Sequence, residues 1–557
     1  MPCSRPVSTV RIAVRPRTYP MASTAVVRAP IPWSTTRLGL VISTLAAIVA
    51  LVLAVRACAD DEESAPPATA AARLVPANAL LYLHLSTDGS RPAVERALEL
   101  AERFPSFPRA RDAALGRLSR AGDLSFERDV RPWLGDEAAL ALLDTPGATA
   151  GSLIVLDVTD RRRAEAFLSK VAGAPRRMDH RGVAIQAYGN ASAAFVDGDL
   201  VIGQPPGLRS AIDVEAGRAP SLARSRTFRR ATDELPDGRV GDVYASRDGV
   251  TRLLGPQGGA LGAAGALLAQ PALQGVALAL TPEDDGARIS VHSALDARVA
   301  RQVPRGRPFE PGLVGSVPES AMAYLGLTRL DRAAERLLAA GLAGGGAGRR
   351  ITQLLQRLRT DLGRRAGVDL RRDVLPLFQG EVALWLAPAI PAPVLTLISA
   401  TDDEERTREA FARLQQPLAR LLAAQGGQVP TFREVEVDGA QAFQMRIGPG
   451  IELAYGVFDG KLVLSTSLSG VRGVRRRGGS LADDDSFRAT LGDRPKQVTS
   501  LVFLDFSQLL RLGERTGLND SRSYLAIRED LERIRAVGAA ASGGNDESTT
   551  ELSIQIP

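Results

Sequence analysis

The chain is poor in the residues that most often carry chemistry. It has two cysteines, Cys3 and Cys58, and three histidines, His84, His180 and His292. Both cysteines precede the body of the chain, so no disulfide framework and no cysteine metal site can form within it. The histidines have no H-x-x-H or H-E-x-x-H spacing, and residues 301–557 contain none. G-x-S-x-G, Walker A and paired C-x-x-C patterns are missing, which argues against the common hydrolases, P-loop enzymes and thiol oxidoreductases. Aromatics are 4% of the chain, so Leu, Val and Ala must fill most of the core. Lysine occurs only as Lys170, Lys461 and Lys496, which reads as base-composition bias rather than function.

What is present is a large globular body. At 557 residues with 45% hydrophobic content, two or three domains are the natural expectation. The net charge of +6 points toward nucleic acid only until its origin is traced. Residues 1–56 hold Arg5, Arg11, Arg15, Arg17, Arg28, Arg37 and Arg56 with no acidic residue, which leaves −1 for residues 57–557. A neutral body offers no net attraction to a phosphate backbone, so no nucleic-acid partner is expected. The Arg475-Arg476-Arg477 run reads as a solvated loop or helix end.

Leu38 to Val55 is an uncharged apolar run, LGLVISTLAAIVALVLAV, near the lower limit for crossing a bilayer. Trp33 precedes it at an interfacial position, Arg28 and Arg37 lie on its N-terminal side, and Asp60-Asp61-Glu62-Glu63 follow it. The basic side predicts a cytoplasmic N-terminus and a body outside the cytoplasm. Arg56 can snorkel to the interface. Ala57-Cys58-Ala59 also resembles a cleavage site and Val55-Arg56-Ala57-Cys58 a lipoprotein box. Both alternatives keep the body extracytoplasmic, and Met21 would give a shorter leader. Ser64 to Ala72 is a Pro/Ala/Thr tether.

The body shows one pattern twice. Val75-Pro76-Ala77-Asn78-Ala79-Leu80-Leu81-Tyr82-Leu83 answers Val317-Pro318-Glu319-Ser320-Ala321-Met322-Ala323-Tyr324-Leu325. Asp129-Val130-Arg131-Pro132 followed by Glu137-Ala138-Ala139-Leu140 answers Asp373-Val374-Leu375-Pro376 followed by Glu381-Val382-Ala383-Leu384. Asp197-Gly198 answers Asp459-Gly460, and the segment around Phe228 answers that around Phe487. The Asp-Gly pairs between apolar runs are hairpin signals, and the intervening periodic segments are helices. The expected fold is α+β: a transmembrane helix, then two tandem duplicated domains, each an antiparallel sheet with helices on one face. The divisions are 1–37 basic tail, 38–55 span, 56–73 linker, 74–300 first domain, 301–312 linker and 313–557 second domain. The glycine-rich stretches Gly258–Leu267 and Gly341–Gly348 fit no G-x-G-x-x-G element.

The opening strand after the tether, the D-V-x-P element before E-x-A-L and the late D-G-x-L-V hairpin together resemble a bacterial domain-of-unknown-function family. Its members are single-span exported proteins that often open with an L-P-A-D-x-x-x-Y-x-x-L-like strand. Leu74-Val75-Pro76-Ala77-Asn78 departs slightly from that opening. The resemblance spans nearly all of residues 74–557. It implies location and fold, and it brings no catalytic residue.

No residue is therefore nominated as catalytic, cofactor-binding or metal-binding, and no cofactor is expected. The best polar candidates are the repeated Asp129/Asp373 and Glu137/Glu381, which could act as an acid and base pair in glycan hydrolysis. The structural alternative is stronger: aspartate supports a turn before proline and glutamate starts an edge strand. Phe228 and Phe487 read as core anchors. Three functions follow in order: a non-enzymatic binding or scaffolding module of the cell envelope; a carrier or sensor of a lipid or other apolar ligand; an envelope hydrolase with paired carboxylates. The partners expected are the membrane, through Leu38–Val55, and an envelope protein or lipid. A continuous apolar cavity wider than a packed core would favour the carrier.

Overall fold

The computed structural model describes residues 66–557 apart from 123, 145–150, 173, 255–269, 303–306, 331–366, 391, 423–428, 449–450, 477 and 545. The Leu38–Val55 run, Asp60–Glu63, both cysteines and both glycine-rich stretches lie outside the described residues. Among the described residues no helix is long and apolar enough to cross a membrane.

Ten strands come from residues 79–295: β1 (Ala79–Ser86), β2 (Leu134–Leu143), β3 (Gly151–Val158), β4 (Arg176–His180), β5 (Val183–Tyr188), β6 (Ala191–Val196), β7 (Asp199–Gly203), β8 (Gly241–Ser246), β9 (Leu273–Glu283) and β10 (Gly286–Leu295). Ten more come from residues 323–555: β11 (Ala323–Thr328), β12 (Glu381–Ala387), β13 (Val394–Ala400), β14 (Arg433–Val437), β15 (Ala440–Gly448), β16 (Ile451–Phe458), β17 (Lys461–Ser465), β18 (Ser500–Asp505), β19 (Ala536–Gly543) and β20 (Glu547–Gln555). His180 ends β4.

Among the described residues all strand pairings are antiparallel. The first half runs β4-β5-β6-β7-β3-β2-β1-β8-β9-β10. The second half runs β14-β15-β16-β17-β13-β12-β11-β18-β19-β20. The two orders meet where β10 pairs with β20, from Gly286 opposite Gln555 to Ala294 opposite Glu547. The product is one 20-stranded sheet.

This corrects the expected architecture of two domains, each with its own sheet; the expected span lies outside the described residues. Hairpin signals report neighbours close in sequence, and a pairing between strands some 260 residues apart leaves no local trace. Glycine makes the seam possible at one end. A Cβ on Gly286 would sit 1.9 Å from the carbonyl oxygen of Ile554. The Asp197-Gly198 and Asp459-Gly460 turns hold positive φ at both residues, as a two-residue hairpin of this hand requires.

Helices pack on both faces, which overturns the expectation of one. In the first half Leu208, Ala211 and Ile212 of the helix Pro205–Glu215 pack with Leu153, Val155 and Val201. Phe167 and Leu168 of the helix Arg161–Ala172 pack with Ile154, Leu156 and Ile202. Adjacent strand residues point to opposite faces, so these are two cores on two sides. The second half repeats the arrangement, with Val471, Phe487 and Leu491 against Trp385 and Phe503, and Phe411 and Leu414 against Val382 and Leu462. Strands such as Leu80-Leu81-Tyr82-Leu83 are apolar at both parities because both faces are apolar.

Candidate functional site

The face that carries Ile154 and Leu156 is incompletely covered. A cavity of about 340 Å³ lies over β3, β2, β1, β8, β9 and β10. That is within the range of small-molecule sites, roughly 300–1,000 Å³. Its floor is built from alternate residues of six neighbouring strands, including Leu83 and Leu85, Leu140, Val243, Leu278 and Leu280, and Ile289. Phe167 forms part of a wall. Leu83 is 36% and Leu280 43% exposed, unusual for large apolar side chains in the middle of a sheet.

His84 and Asp242 also border the cavity, yet their side chains belong to the opposite face, since they alternate with Leu83, Leu85 and Val243. There they form a buried polar cluster directly beneath the floor. His84 Nδ1 lies 2.9 Å from Asp242 Oδ1, and Arg239 Nε donates to the same oxygen at 2.9 Å. His84 Nε2 stands 3.7 Å from Glu137 Oε1. The Glu137 carboxylate accepts the backbone N–H groups of Ala70 at 2.7 Å and Ala71 at 3.0 Å. Burial pushes the Glu137 carboxyl up, against the opposing pull of His84 and those two N–H groups. Burial, with Glu137 and Asp242 nearby, also raises the Tyr82 phenol well above its usual range.

The sequence candidates fall into place separately. Glu381 repeats Glu137: it accepts from Gly312 N–H at 3.1 Å and Leu313 N–H at 3.0 Å, and burial raises it. Asp129 and Asp373 each accept a backbone N–H four residues upstream, from Ser125 at 2.7 Å and Asp369 at 2.8 Å. Burial opposes ionisation of Asp129, but the Ser125 N–H and Lys170, 2.9 Å away, hold it below the usual range. Arg372 holds Asp373 low. These carboxylates anchor chain turns within their own halves, and none of the four borders the apolar cavity.

The three histidines meet separate acids: Asp242 and Glu137 beside His84, Asp213 at 3.2 Å from His180, and Glu234 at 3.9 Å from His292. Among the described residues no group of His, Cys, Asp and Glu could hold a metal ion. Phe228 stacks edge-on against Tyr82 and Tyr244, and Phe487 against Phe503, as core anchors. Arg475 is held by Asp459 at 2.7 Å and by the Asp438 carbonyl.

The cavity itself escaped sequence reasoning. Its signal is the unbroken apolar run Val276-Ala277-Leu278-Ala279-Leu280 in β9, which announces two apolar faces but not which one is left open. A larger recess of about 700 Å³ lies in the second half between Ser316–Ser320, Trp385 and Ser469–Ser480. Pro388, Ala389, Arg476, Gly478 and Gly479 at its rim are exposed, so it is an open depression in the surface.

The family model described as "Protein of unknown function (DUF3352)" matches residues 38–556, and the chain belongs to that family. No curated protein matches it. Among solved structures it is similar to crystal forms of TP0453. Form III is 11% identical over 43% of this chain and 88% of that one, with a TM-score of 0.24. Form IV is 12% identical over 45% and 89%, also at 0.24. Likeness at that level defines neither fold nor activity.

Proposed function

We propose that the protein is a non-enzymatic binding module of the cell envelope that holds an apolar molecule against its sheet. The observation that carries this reading is the 340 Å³ cavity, whose floor of Leu83, Leu140, Leu278, Leu280 and Ile289 has no charged side chain on its face. Such a surface left in water is unfavourable by roughly 25 cal/mol for each Å² that an occupant would cover. A ligand without charge on its buried part meets no unpaired polar group there. The apolar run Leu38–Val55 would tether the body at the membrane, outside the cytoplasm, close to a supply of such molecules.

The matched strand orders of the two halves, and the matched roles of Glu137 and Glu381, support reading the body as an internal duplication. The hydrolase reading gains nothing, because the repeated carboxylates are engaged in backbone anchoring.

The test is native mass spectrometry of the full-length chain released from mild micelles. The expected result is a reproducible mass excess, lost on denaturation and identified as an apolar compound. Leu140→Trp, which fills the cavity, should lose that excess while keeping the thermal transition within a few degrees. A clean apo mass for the wild-type chain would sink the carrier reading and leave a protein-binding scaffold to pursue.

A further inference from the structure

The cavity ends at Ile289, but the apolar face does not. The pairing registers place Leu280, Ile289, Leu552, Ala539, Val502 and Leu325 directly opposite one another in turn, on β9, β10, β20, β19, β18 and β11. Opposed residues in an antiparallel sheet share a face, so this is one rank of side chains crossing the seam. All six are half-buried or exposed. The charged residues of these central strands, Arg288, His292 and Glu551 among them, stand at the other parity. One face of the seam is therefore ionic, and the other is free of charge from one half into the next.

Five steps of about 4.8 Å between strands make the rank roughly 24 Å long. One leaflet of a bilayer's hydrocarbon core is about 15 Å deep. The face is not a flat plate for a second sheet. Leu100, in the helix Pro92–Glu102, packs on Ala287 and Ile556 at one margin, and Phe167 stands over the other part of the floor. A slot bounded by helices fits a chain, not a sheet.

We propose that the cavity is one end of a groove that crosses the β10–β20 seam, and that its occupant is a phospholipid acyl chain laid across the strands. The proposal rests on the reading of the cavity as an apolar-ligand site and adds the ligand class and the route. The bilayer is the source within reach. From Val55 to Ala70, where Glu137 fixes the chain, there are few enough residues that the fully extended tether spans about 50 Å.

The experiment places the full-length chain in phosphatidylcholine vesicles doped equally with two phosphatidylcholines, whose octadecanoyl chains carry a diazirine near the methyl end in one and near the carboxyl end in the other. After irradiation, labelled peptides are mapped by mass spectrometry. The expected result is labelling of β8–β9 peptides and of β18–β19 peptides within about threefold of each other, with helix Pro205–Glu215 at least tenfold lower. Labelling confined to β1, β8 and β9 would overturn the seam-crossing groove and leave the cavity reading intact. Labelling of none of these strands would overturn both. In a parallel sample treated with a bifunctional protein cross-linker, a link from either strand set to another segment laid over this face, or to a second copy of the chain, would show the groove filled by protein and also overturn the proposal. Val502→Arg is the companion variant, read in the same assay. It should lower β18–β19 labelling at least tenfold while a retained thermal transition reports an intact fold, and unchanged labelling there counts against the groove.

Discussion

Glu137 and Glu381 do the same work at equivalent places: each carboxylate takes two consecutive backbone N–H groups from the short helical turn that opens its half, Ala70–Ala71 in one and Gly312–Leu313 in the other. Each glutamate thereby fastens the entry of its half to the sheet.

Removing that fastening should loosen the entry first. Glu137→Ala leaves two N–H groups unmet and is expected to cost about 2–3 kcal/mol in denaturant unfolding. Arg73 lies in the freed turn, so trypsin cleavage there should accelerate at least tenfold. Unchanged cleavage would show that other contacts hold the entry.

The polar cluster under the cavity is specific to the first half. Where β1 and β8 place His84 opposite Asp242, β11 and β18 place Gly326 opposite Leu501. His84→Ala strands two buried carboxylates with less compensation and should cost about 2–4 kcal/mol. Adding Asp242→Leu should recover part of that loss, giving a coupling of about 1 kcal/mol or more in a double-mutant cycle. Strict additivity would mean the two side chains do not act together.

At the seam, Gly286→Ala sets a methyl group against the Ile554 carbonyl. The expected cost is about 1–3 kcal/mol. Amide exchange in β20 should quicken while exchange in β11 and β12 stays as it was. Equal exchange in β20 would show that the seam absorbs the methyl group.

Asp199 gives a pH signature. Burial pushes its carboxyl up to about 6, with Arg73 pulling the other way. The folded state then binds this proton more tightly than the unfolded chain does. Its favourable contribution is present at low pH and is lost as pH rises from about 4 to about 6. Asp199→Asn should flatten the stability profile in that window and raise stability at pH 7 by about 1–2 kcal/mol. A profile unchanged between pH 4 and pH 6 would place the titration elsewhere.

Leu280 tests the cavity without touching the core. It is 43% exposed, so Leu280→Ser should change stability by less than about 0.5 kcal/mol. It should nevertheless weaken retention of the apolar compound several-fold by native mass spectrometry.

Local signals were legible and distant ones were not. The Asp-Gly hairpins and the turn role of Asp129 follow from residues a few positions apart. The partnership of His84 with Asp242 spans 158 residues, and nothing near either position announces the other. The pairing of β10 with β20 had the same obstacle, which is why two sheets were expected where there is one. The open face was hidden for a different reason. Alternation shows that a face is apolar, but cover depends on where helices pack, and Leu278 reads the same covered or bare.

The seam also has a schedule. Ser290 Oγ meets Glu551 Oε2 at 2.7 Å across 261 residues, so β10 is synthesised long before β20 can reach it. During that interval β10 presents an unpaired row of backbone donors and acceptors, the kind of border that templates association between chains. A nascent chain thus carries a transient liability at its centre, not at its finished margins. Its yield should depend on how quickly the late strand arrives and on whether a chaperone shields the early one, a burden that two independently closing domains would not share.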